Sequence, residues 1–444
     1  MRLTHVAHLR LPFGPLLSHD LTFSAPGAPL PVSFDQARHV GAGDRPGSWM
    51  ALAMRLPAPV PRDDLAAAWR AVVSAHGTLR SVFVPGEDGP RLHEVEILGG
   101  GWTEHEVQPG QAMNGALQTV LDTGCRPYAQ PSHRFCVIET ADGPTLVVAA
   151  DHAHVDMWSM LVIARDLLAA LEQRGHGIEP VPAQVPTFAE HTVALEQRPA
   201  APEEIRRRWA EVIEAGGGFM PRFPLPLGAV EPRPERVVIR DVLDLESLAA
   251  FSTRAAAEGV ATLSLTVSAM TETTRELAGT ALRTVFPVHS RYEERWHDSV
   301  GWFITNSVLE SSDPDPAACA AAVREAIRLG SWPLADLMTP WGGMPEAPGM
   351  FAVSWLDMRR LPVRIDTAGL DAQYVSATIS TSGVMLWFIL DDSGVHLRCR
   401  FPDTVVARQN VGAWLDALVA RMRGLAAGAR LESVGSGAPF GSQG

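Results

Sequence analysis

The chain has 444 residues, of which 46% are hydrophobic, and its formal net charge is −13. All 37 basic residues are arginine, so the absence of lysine excludes a lysine base, a Schiff-base lysine and the lysine of a P-loop or kinase. Nucleic acid is not an expected partner for so acidic a chain without a basic stripe. The length and the hydrophobic content suffice for two packed lobes of roughly 150–200 residues each.

Membrane and redox signals are absent from the sequence. No apolar run approaches the roughly 18–20 residues that cross a bilayer, and the first residues lack a signal-peptide core. Cys125, Cys136, Cys319 and Cys399 are widely separated and form no CxxC pair. This argues against a disulfide framework and against a structural zinc site. We therefore expect a cytoplasmic protein with no membrane span.

The predicted elements alternate between strands and helices in both halves of the chain. About the first 50 residues are rich in glycine and proline, and few elements are predicted there. The next elements are a helix after Pro59, a strand starting at Leu79, a hairpin of Arg134–Ile138 and Thr145–Ala150, and a helix ending near Gly175. The second half contains helices near Leu245–Glu258 and Leu263–Leu277, strands at Leu282–Val288 and Met350–Trp355, a hairpin over 375–400 and a helix around 408–426.

This pattern predicts the α/β class, as an α+β sandwich with two lobes of similar size. The N-terminal lobe is expected at 1–180 and the C-terminal lobe at 236–430, joined by a proline-rich connection at 181–235. The glycine- and serine-rich residues 431–444 are expected to form a disordered tail.

Four titratable side chains follow the apolar run 145–150 directly: Asp151, His152, His154 and Asp156. A histidine four residues before an aspartate, at the end of a strand, is typical of a general base with a supporting carboxylate. Three alternatives stay open: a histidine satisfied by a backbone carbonyl, an aspartate that caps the next helix, and a zinc site formed by all four. Four ligands so close in sequence rarely complete a tetrahedron, so zinc is the least expected.

Several segments resemble the condensation domains of nonribosomal peptide synthetases and their relatives, which include chloramphenicol acetyltransferase and polyketide-associated acyltransferases. Residues 151–159 (DHAHVDMWS) resemble the signature HHxxxDG followed by Trp-Ser. Residues 75–83 resemble an early motif, RHExLRTxF, and residues 300–306 resemble a later motif, IGxFVNT. A strand ending in Pro-Val and an arginine, at 286–291, precedes the later motif as in the family. The four matches occur in the family's order along essentially the whole chain.

The resemblance implies two chloramphenicol-acetyltransferase-like lobes in a V, with a tunnel between them and His152 near its middle. It also implies that the acyl donor is a thioester, on the phosphopantetheine arm of a carrier protein or on coenzyme A, and that no cofactor stays bound. Acceptors in the family are amines or hydroxyls. The expected partners are an acyl or peptidyl carrier protein and a small-molecule acceptor.

In this interpretation His152 is the general base, and Asp156 is a structural carboxylate at the active site. We predict that Asp156 pairs with Arg291 or, as second choice, with Arg283, because a buried Arg–carboxylate pair would fix the loop. His154 is not expected to be catalytic. The residues expected near the substrate or tunnel are Asp151, Met157, Trp158, Ser159, His289, Trp302 and Asn306.

Two positions depart from the signature. Asp151 replaces its first histidine and puts a second carboxylate beside His152, which could raise the pKa of His152 or orient its ring. Met157 replaces its glycine and reduces the room expected for the pantetheine arm or the substrate. A covalent serine or cysteine mechanism is not expected, because the chain has no GxSxG elbow and no cysteine within a catalytic signature.

The leading hypothesis is a freestanding, thioester-dependent acyltransferase of natural-product or lipid biosynthesis, for example of polyketide, peptide or antibiotic pathways. A second hypothesis is a condensation-like domain that has lost catalysis and docks partners. Asp151 and Met157 favour it, whereas the retention of His152 and Asp156 argues against it. A metal-dependent hydrolase is the third. The sequence leaves open the acyl group, the acceptor, ester or amide formation, and the oligomeric state.

Overall fold

The computed structural model describes residues 2–435, with side chains through residue 428. In chain order, the first elements are β1 (Arg2–His5), β2 (Leu16–Phe23), β3 (Pro29–Leu30), α1 (Phe34–Gly41), β4 (Trp49–Arg55), α2 (Arg62–Ala75), β5 (Ser81–Val84), β6 (Arg91–Glu94), β7 (Ile97–His105), α3 (Met113–Gly124), β8 (His133–Ile138), β9 (Thr145–Asp151), α4 (Met157–Gly175) and α5 (Phe188–Glu196).

The remaining elements are α6 (Glu203–Ala215), β10 (Arg233–Asp244), α7 (Leu245–Ala257), α8 (Thr262–Ala278), β11 (Leu282–His289), β12 (Ile304–Ser311), α9 (Pro316–Gly330), α10 (Leu334–Met338), β13 (Phe351–Asp357), β14 (Gln373–Ser376), β15 (Ser380–Thr381), β16 (Val384–Asp391), β17 (Gly394–Pro402) and α11 (Val405–Gly435). None of the helices within residues 2–435 is long and apolar enough to span a bilayer.

The chain forms two compact units, each assembled from three segments. Within the described residues, unit 1 comprises 2–199, 289–305 and 361–379, and unit 2 comprises 200–288, 306–360 and 380–435. The units therefore differ from the contiguous lobes expected at 1–180 and 236–430. The difference arises because two later segments return to unit 1, one with Arg291 and one with strand β14. The expected connection at 181–235 is divided between the units and contains α5, α6 and the start of β10.

Unit 1 is built on a seven-stranded sheet with the order β1-β14-β4-β9-β8-β2-β7. β1 and β14 run parallel, and β9 is antiparallel to both of its neighbours, β4 and β8. All seven residues of β9 are buried, which agrees with its continuous apolar sequence. A smaller sheet, β3-β6-β5, belongs to the same unit. The chain thus leaves the main sheet at its central strand, from the carboxyl end of β9.

Unit 2 contains a second seven-stranded sheet, with the order β12-β11-β13-β16-β17-β10-β15. One face of this sheet packs on helices, and Phe351, Phe388 and Trp414 are buried in that core. The two sheets with their helices confirm the predicted mixed α/β class.

The elements with strong periodicity are where the sequence predicts them, including α2, the β8–β9 hairpin, α4, α7 and α8. The expectation of few elements in the first 50 residues is wrong, because β1, β2, β3, α1 and the start of β4 lie there. The predicted disordered tail is also corrected in part, since residues 431–435 continue α11. Residues 436–444 lie outside the described part of the chain.

Candidate active site

The signature loop joins the central strand of unit 1 to helix α4. β9 ends at Asp151, which lies opposite Trp49 of β4, and Asp156 is the N-cap residue of α4. Between them, the amide of His152 donates to the carbonyl of Ser48 at 3.0 Å. The loop is therefore fixed at its start by the sheet and at its end by the helix.

His152 is partly exposed, and its ring lies against an aromatic side chain. The ring centroids of His152 and Trp302 are 4.2 Å apart, with 35° between the planes. Nδ1 of His152 is buried and has no hydrogen-bond partner on another described residue, which leaves Nε2 as the nitrogen that a substrate could reach. Burial lowers the pKa of His152 to about 4. The imidazole is therefore uncharged at neutral pH.

The predicted ion pair between Asp156 and Arg291 is present and fully buried. Nη1 of Arg291 donates to Oδ2 at 2.7 Å and Nη2 donates to Oδ1 at 3.2 Å, so the pair is bidentate. Burial alone would raise the pKa of Asp156, but the Arg291 charge and the hydrogen bonds lower it below its ordinary value. Oδ1 also accepts from the amide of Ser159 at 2.7 Å. Asp156 is thus both an ion-pair partner and the cap of α4. From the sequence alone these two roles are alternatives.

The same network fixes the loop that carries Trp302. Oγ of Ser159 accepts from the amide of Gly301 at 3.0 Å and donates to the carbonyl of the same residue at 2.9 Å. The amide of Phe303 donates to Oδ2 of Asp156 at 3.1 Å. The residues on both sides of Trp302 are thereby bonded to α4 or its cap. Ser159 is not the cap of α4, which is Asp156; its hydroxyl instead joins α4 to the segment that contains Arg291 and Gly301.

Trp158 packs against the ion pair and contacts two histidines. The Arg291 guanidinium lies 4.8 Å from the ring of Trp158 and 3.9 Å from that of Phe303. Nε1 of Trp158 donates to the carbonyl of His297 at 2.9 Å. His289 is exposed and meets the Trp158 ring edge-on at a centroid distance of 5.7 Å. Trp158 is therefore mainly a packing residue beside the site.

Asp151 is completely buried, and three groups donate to its carboxylate. Nε2 of His39 lies 3.1 and 3.2 Å from the two oxygens, the amide of Ala153 donates at 2.9 Å, and the Ser48 hydroxyl donates as well. Burial by itself raises the pKa of Asp151, but the hydrogen bonds from His39 and Ser48 lower it overall. Since Nδ1 of His152 has no described partner, Asp151 does not orient that ring by a hydrogen bond. Its negative charge does act to raise the pKa of His152, although burial outweighs it.

Met157 is accommodated without backbone strain. It is the first residue of α4, where ordinary helical geometry suits any L-residue, and it is partly exposed. Its carbonyl accepts from the hydroxyl of Tyr374 at 2.8 Å.

Two of the predicted residues belong to unit 2. Nδ2 of Asn306 lies 3.8 Å from Sδ of Met344. Arg283, the second choice for the ion pair, donates instead to Glu310 at 2.6 Å.

Sequence reasoning missed His39 and the residues that support it, Arg45 and Ser48. A local signal was available, since Ser33 and Gln36 form a capping box that marks the start of α1. Nothing local indicates that His39 contacts Asp151, because the two residues are 112 positions apart.

The described residues contain no group of three or more His, Cys, Asp or Glu side chains arranged to hold a metal ion. In the described loop, each carboxylate accepts hydrogen bonds from protein donors instead. Of the two histidines of the loop, only His152 has a ring nitrogen that a substrate could reach.

The family model of the Condensation domain matches residues 43–326, which include the signature loop and Arg291. The chain belongs to the condensation-domain family. This condensation domain is 28% identical over 302 residues to CymA of Salinispora arenicola, a probable non-canonical nonribosomal peptide synthetase, covering 63% of this chain and 4% of that protein. It is 28% identical over 223 residues to the phosphinothricin tripeptide synthetase PhsC of Streptomyces viridochromogenes, covering 46% of this chain and 20% of that protein. It spans between 1% and 20% of the length of the curated relatives that it matches.

Solved structures share the fold of this condensation domain. The PapA2 acyl transferase superposes with a TM-score of 0.83 over 96% of this chain and 100% of that chain, at 19% identity. The X-domain from teicoplanin biosynthesis superposes with a TM-score of 0.70 over 91% and 96% of the two chains, at 16% identity. At these identities the similarity establishes the fold, and chemistry has to be argued from the site.

The early family motif, residues 75–83, contacts the signature loop and helix α4. His154 contacts the carbonyl of Thr78 through Nδ1 at 3.0 Å and is buried, which fits a structural residue. Nε2 of His76 lies 2.9 Å from Oδ2 of Asp166 in α4. The motif at 75–83 therefore contacts both the loop and the helix that follows it.

Proposed function

We propose that this condensation domain is an acyltransferase in which His152 is the general base. The acyl or aminoacyl group would move from a thioester to a hydroxyl or an amine. The observation that carries the proposal is the state of His152: uncharged at neutral pH, partly exposed and held at the end of a rigid strand. A base must be unprotonated before it can act, and positioned general-base catalysis typically contributes about 10²–10⁴-fold.

The proposed reaction conserves atoms and charge. Nε2 of His152 removes the proton of the acceptor O–H or N–H while the acceptor atom attacks the thioester carbonyl carbon. The tetrahedral intermediate then expels the sulfur, and the proton on His152 passes to the leaving thiolate. Asp151 and Asp156 favour the transient imidazolium, because both carboxylates act to raise the pKa of His152.

The proposed donor is a thioester of phosphopantetheine, on a carrier protein or on coenzyme A. A thioester is already activated, so the transfer needs neither ATP nor a bound cofactor, which agrees with a chain without lysine. Carrier-protein donors are favoured by membership of a family whose matched relatives are peptide synthetases. A role in natural-product or lipid biosynthesis is part of the same proposal.

The competing hypothesis is a domain that has lost catalysis and docks partners. Asp151 and Met157, the two departures from the family signature, are the residues that favour this hypothesis. Asp151 has three donors for its carboxylate, and Met157 has the backbone geometry of a normal helix start. Neither substitution removes His152 or the Asp156–Arg291 pair, so the observations favour the acyltransferase.

A donor screen tests the proposal. Acyl-coenzyme A and acyl-loaded carrier proteins are offered in parallel with pooled alcohols and amines, and products are read by mass. We expect turnover with at least one donor class and its loss in His152→Ala with an unchanged melting temperature. The matched control is His176→Ala, which removes an exposed histidine at the end of α4 and should retain activity. Turnover by His152→Ala would overturn the role of the base, and no product from any donor would favour the docking hypothesis.

A further inference from the structure

A second imidazole, His39, lies beside the proposed base and is not used by the mechanism above. It belongs to the last turn of α1, an eight-residue helix whose start is fixed by a reciprocal capping box. The ring centroids of His39 and His152 are 6.2 Å apart. Its surroundings indicate what it does there.

Helix α1 holds the signature loop at two points. Nε2 of the buried Gln36 donates to the carbonyl of Ala153 at 2.8 Å. One turn later, Nε2 of His39 lies within 3.2 Å of both carboxylate oxygens of Asp151. Residues three apart share one face of a helix, so a single face of α1 contacts the residues on both sides of His152.

The hydrogen bonds of the His39 ring are fixed by its neighbours. Nη2 of Arg45 lies 3.1 Å from Nδ1 of His39, and a guanidinium can only donate. Nδ1 is therefore the acceptor and Nε2–H is the donor toward Asp151. Arg45 is held in turn, because its Nη1 donates to the carbonyls of His39 and Gly43, each at 2.9 Å. Both ring nitrogens of His39 are occupied, so it cannot be a second base.

His39 also supports the ring that covers the base. Its ring meets Trp302 edge-on at a centroid distance of 5.1 Å, while Trp302 lies 4.2 Å from His152. The three rings form one cluster, in which His39 touches the indole on one side and the Asp151 carboxylate on the other.

We propose that His39 is a positioning residue for His152, acting through Asp151 on the backbone and through Trp302 on the ring. This rests on the proposed function of His152 as the base. A catalytic nitrogen has to be held within about 0.5 Å of its productive position, which requires supporting residues that are themselves fixed. His39 meets that requirement, because Arg45 fixes its ring.

The test compares three variants with a working donor and acceptor pair. In His39→Leu, we expect kcat to fall about tenfold or more while KM for the donor stays within about twofold, since the loss concerns the reaction step and not binding. In His39→Gln, whose amide can donate from near the position of Nε2, kcat should recover to within about threefold of wild type. The control is His176→Leu, which removes an exposed histidine and should leave both constants unchanged.

The outcomes separate this proposal from the one on which it rests. If His152→Ala loses turnover while His39→Leu keeps the wild-type kcat, His39 has no positioning role and the base assignment stands. If His152→Ala keeps turnover, both proposals fail. Equal loss in His39→Gln and His39→Leu would contradict positioning through the donated hydrogen bond. Should His39→Leu not fold, Arg45→Met replaces it, because it leaves His39 in place but frees its ring. An unchanged kcat in Arg45→Met would then overturn the proposal.

Discussion

The two ends of the signature loop each contain a buried carboxylate, but the groups that donate hydrogen bonds to the two carboxylates differ. Asp156 accepts from the guanidinium of Arg291 and from two backbone amides. Asp151 accepts from the His39 imidazole, the Ser48 hydroxyl and an amide. The Asp156 end is thus held by a bidentate guanidinium and two amides, and the Asp151 end by an imidazole, a hydroxyl and one amide. His152 lies between these two buried carboxylates.

The largest effect is expected from breaking the buried pair of Asp156 and Arg291. Asp156→Ala leaves Arg291 buried without its counter-charge, which typically costs about 3–5 kcal/mol of unfolding free energy. Urea denaturation measures this loss. The matched control is Asp298→Ala, because Asp298 pairs with Arg165 at a half-exposed position where such a pair is worth less than about 1 kcal/mol. Equal losses in the two variants would contradict the special role of the buried pair.

As the pH falls, we expect the free energy of unfolding to decrease first through protonation of buried histidines. Protonation of the buried carboxylates should follow only at lower pH. Burial lowers the pKa of His133 to about 3 and that of His191 to about 4. Their unfolded pKa is near 6.5, so the unfolded state takes up more protons below that value and stability falls as the pH drops toward 4. The pKa of Asp156 is lowered, so its contribution is complete above about 4 and is lost only below that.

We expect each of these two histidines to cost about 3 kcal/mol of stability between pH 7 and pH 4, measured by urea unfolding at fixed ionic strength. The variant His133→Gln should reduce the slope, because glutamine can donate to the Leu79 carbonyl as Nε2 does but takes up no proton. A flat stability profile down to pH 5 would show that these histidines do not govern the acid response.

A smaller effect is expected at the Asp151 end of the loop. Asp151→Asn keeps the shape but turns one acceptor into a donor, which leaves a buried donor pair without an acceptor and costs about 1–3 kcal/mol. The comparison is Asp142→Asn at a largely exposed position, which should change stability very little. If Asp151→Asn cost as much as Asp156→Ala, the distinction between the two ends would be wrong.

The smallest effect is expected from Ser159→Ala, which removes the hydroxyl between Arg291 and Gly301. Losing a buried hydrogen-bonding group of this kind costs about 1–2 kcal/mol. The ion pair itself stays, so acid stability should keep the wild-type shape. The measurement is again urea denaturation. A loss of unfolding free energy larger than that of Asp151→Asn would contradict this ranking and show that the Ser159 hydroxyl contributes more than the Asp151 carboxylate.

Much of this architecture is predictable because its signals are local. The continuous apolar run of β9 and the aspartate cap of α4 specify the loop without reference to the rest of the chain. The partner of Asp156 is also accessible to sequence reasoning, since a buried carboxylate needs a cation and Arg291 lies in a recognisable motif.

Other features depend on partners far away in sequence. β14 has four residues and is a strand because it lies between β1 and β4. The glycine-rich strand β7 likewise takes its register from β2. His39 gains its role only from contact with Asp151, and nothing in residues 34–41 indicates that contact. The predicted tunnel and the V arrangement stay predictions of the family resemblance.

The division of unit 1 into three segments has a consequence for biosynthesis. A ribosome releases the signature loop long before it reaches Arg291, and the sheet of unit 1 gains β14 only after residue 376. Until residue 291 emerges, the Asp156 carboxylate has no cation, so the nascent N-terminal segment cannot bury its loop in the final form. The active site is therefore completed late in translation, and an isolated segment ending at residue 199 would lack both the ion pair and a strand of its own sheet.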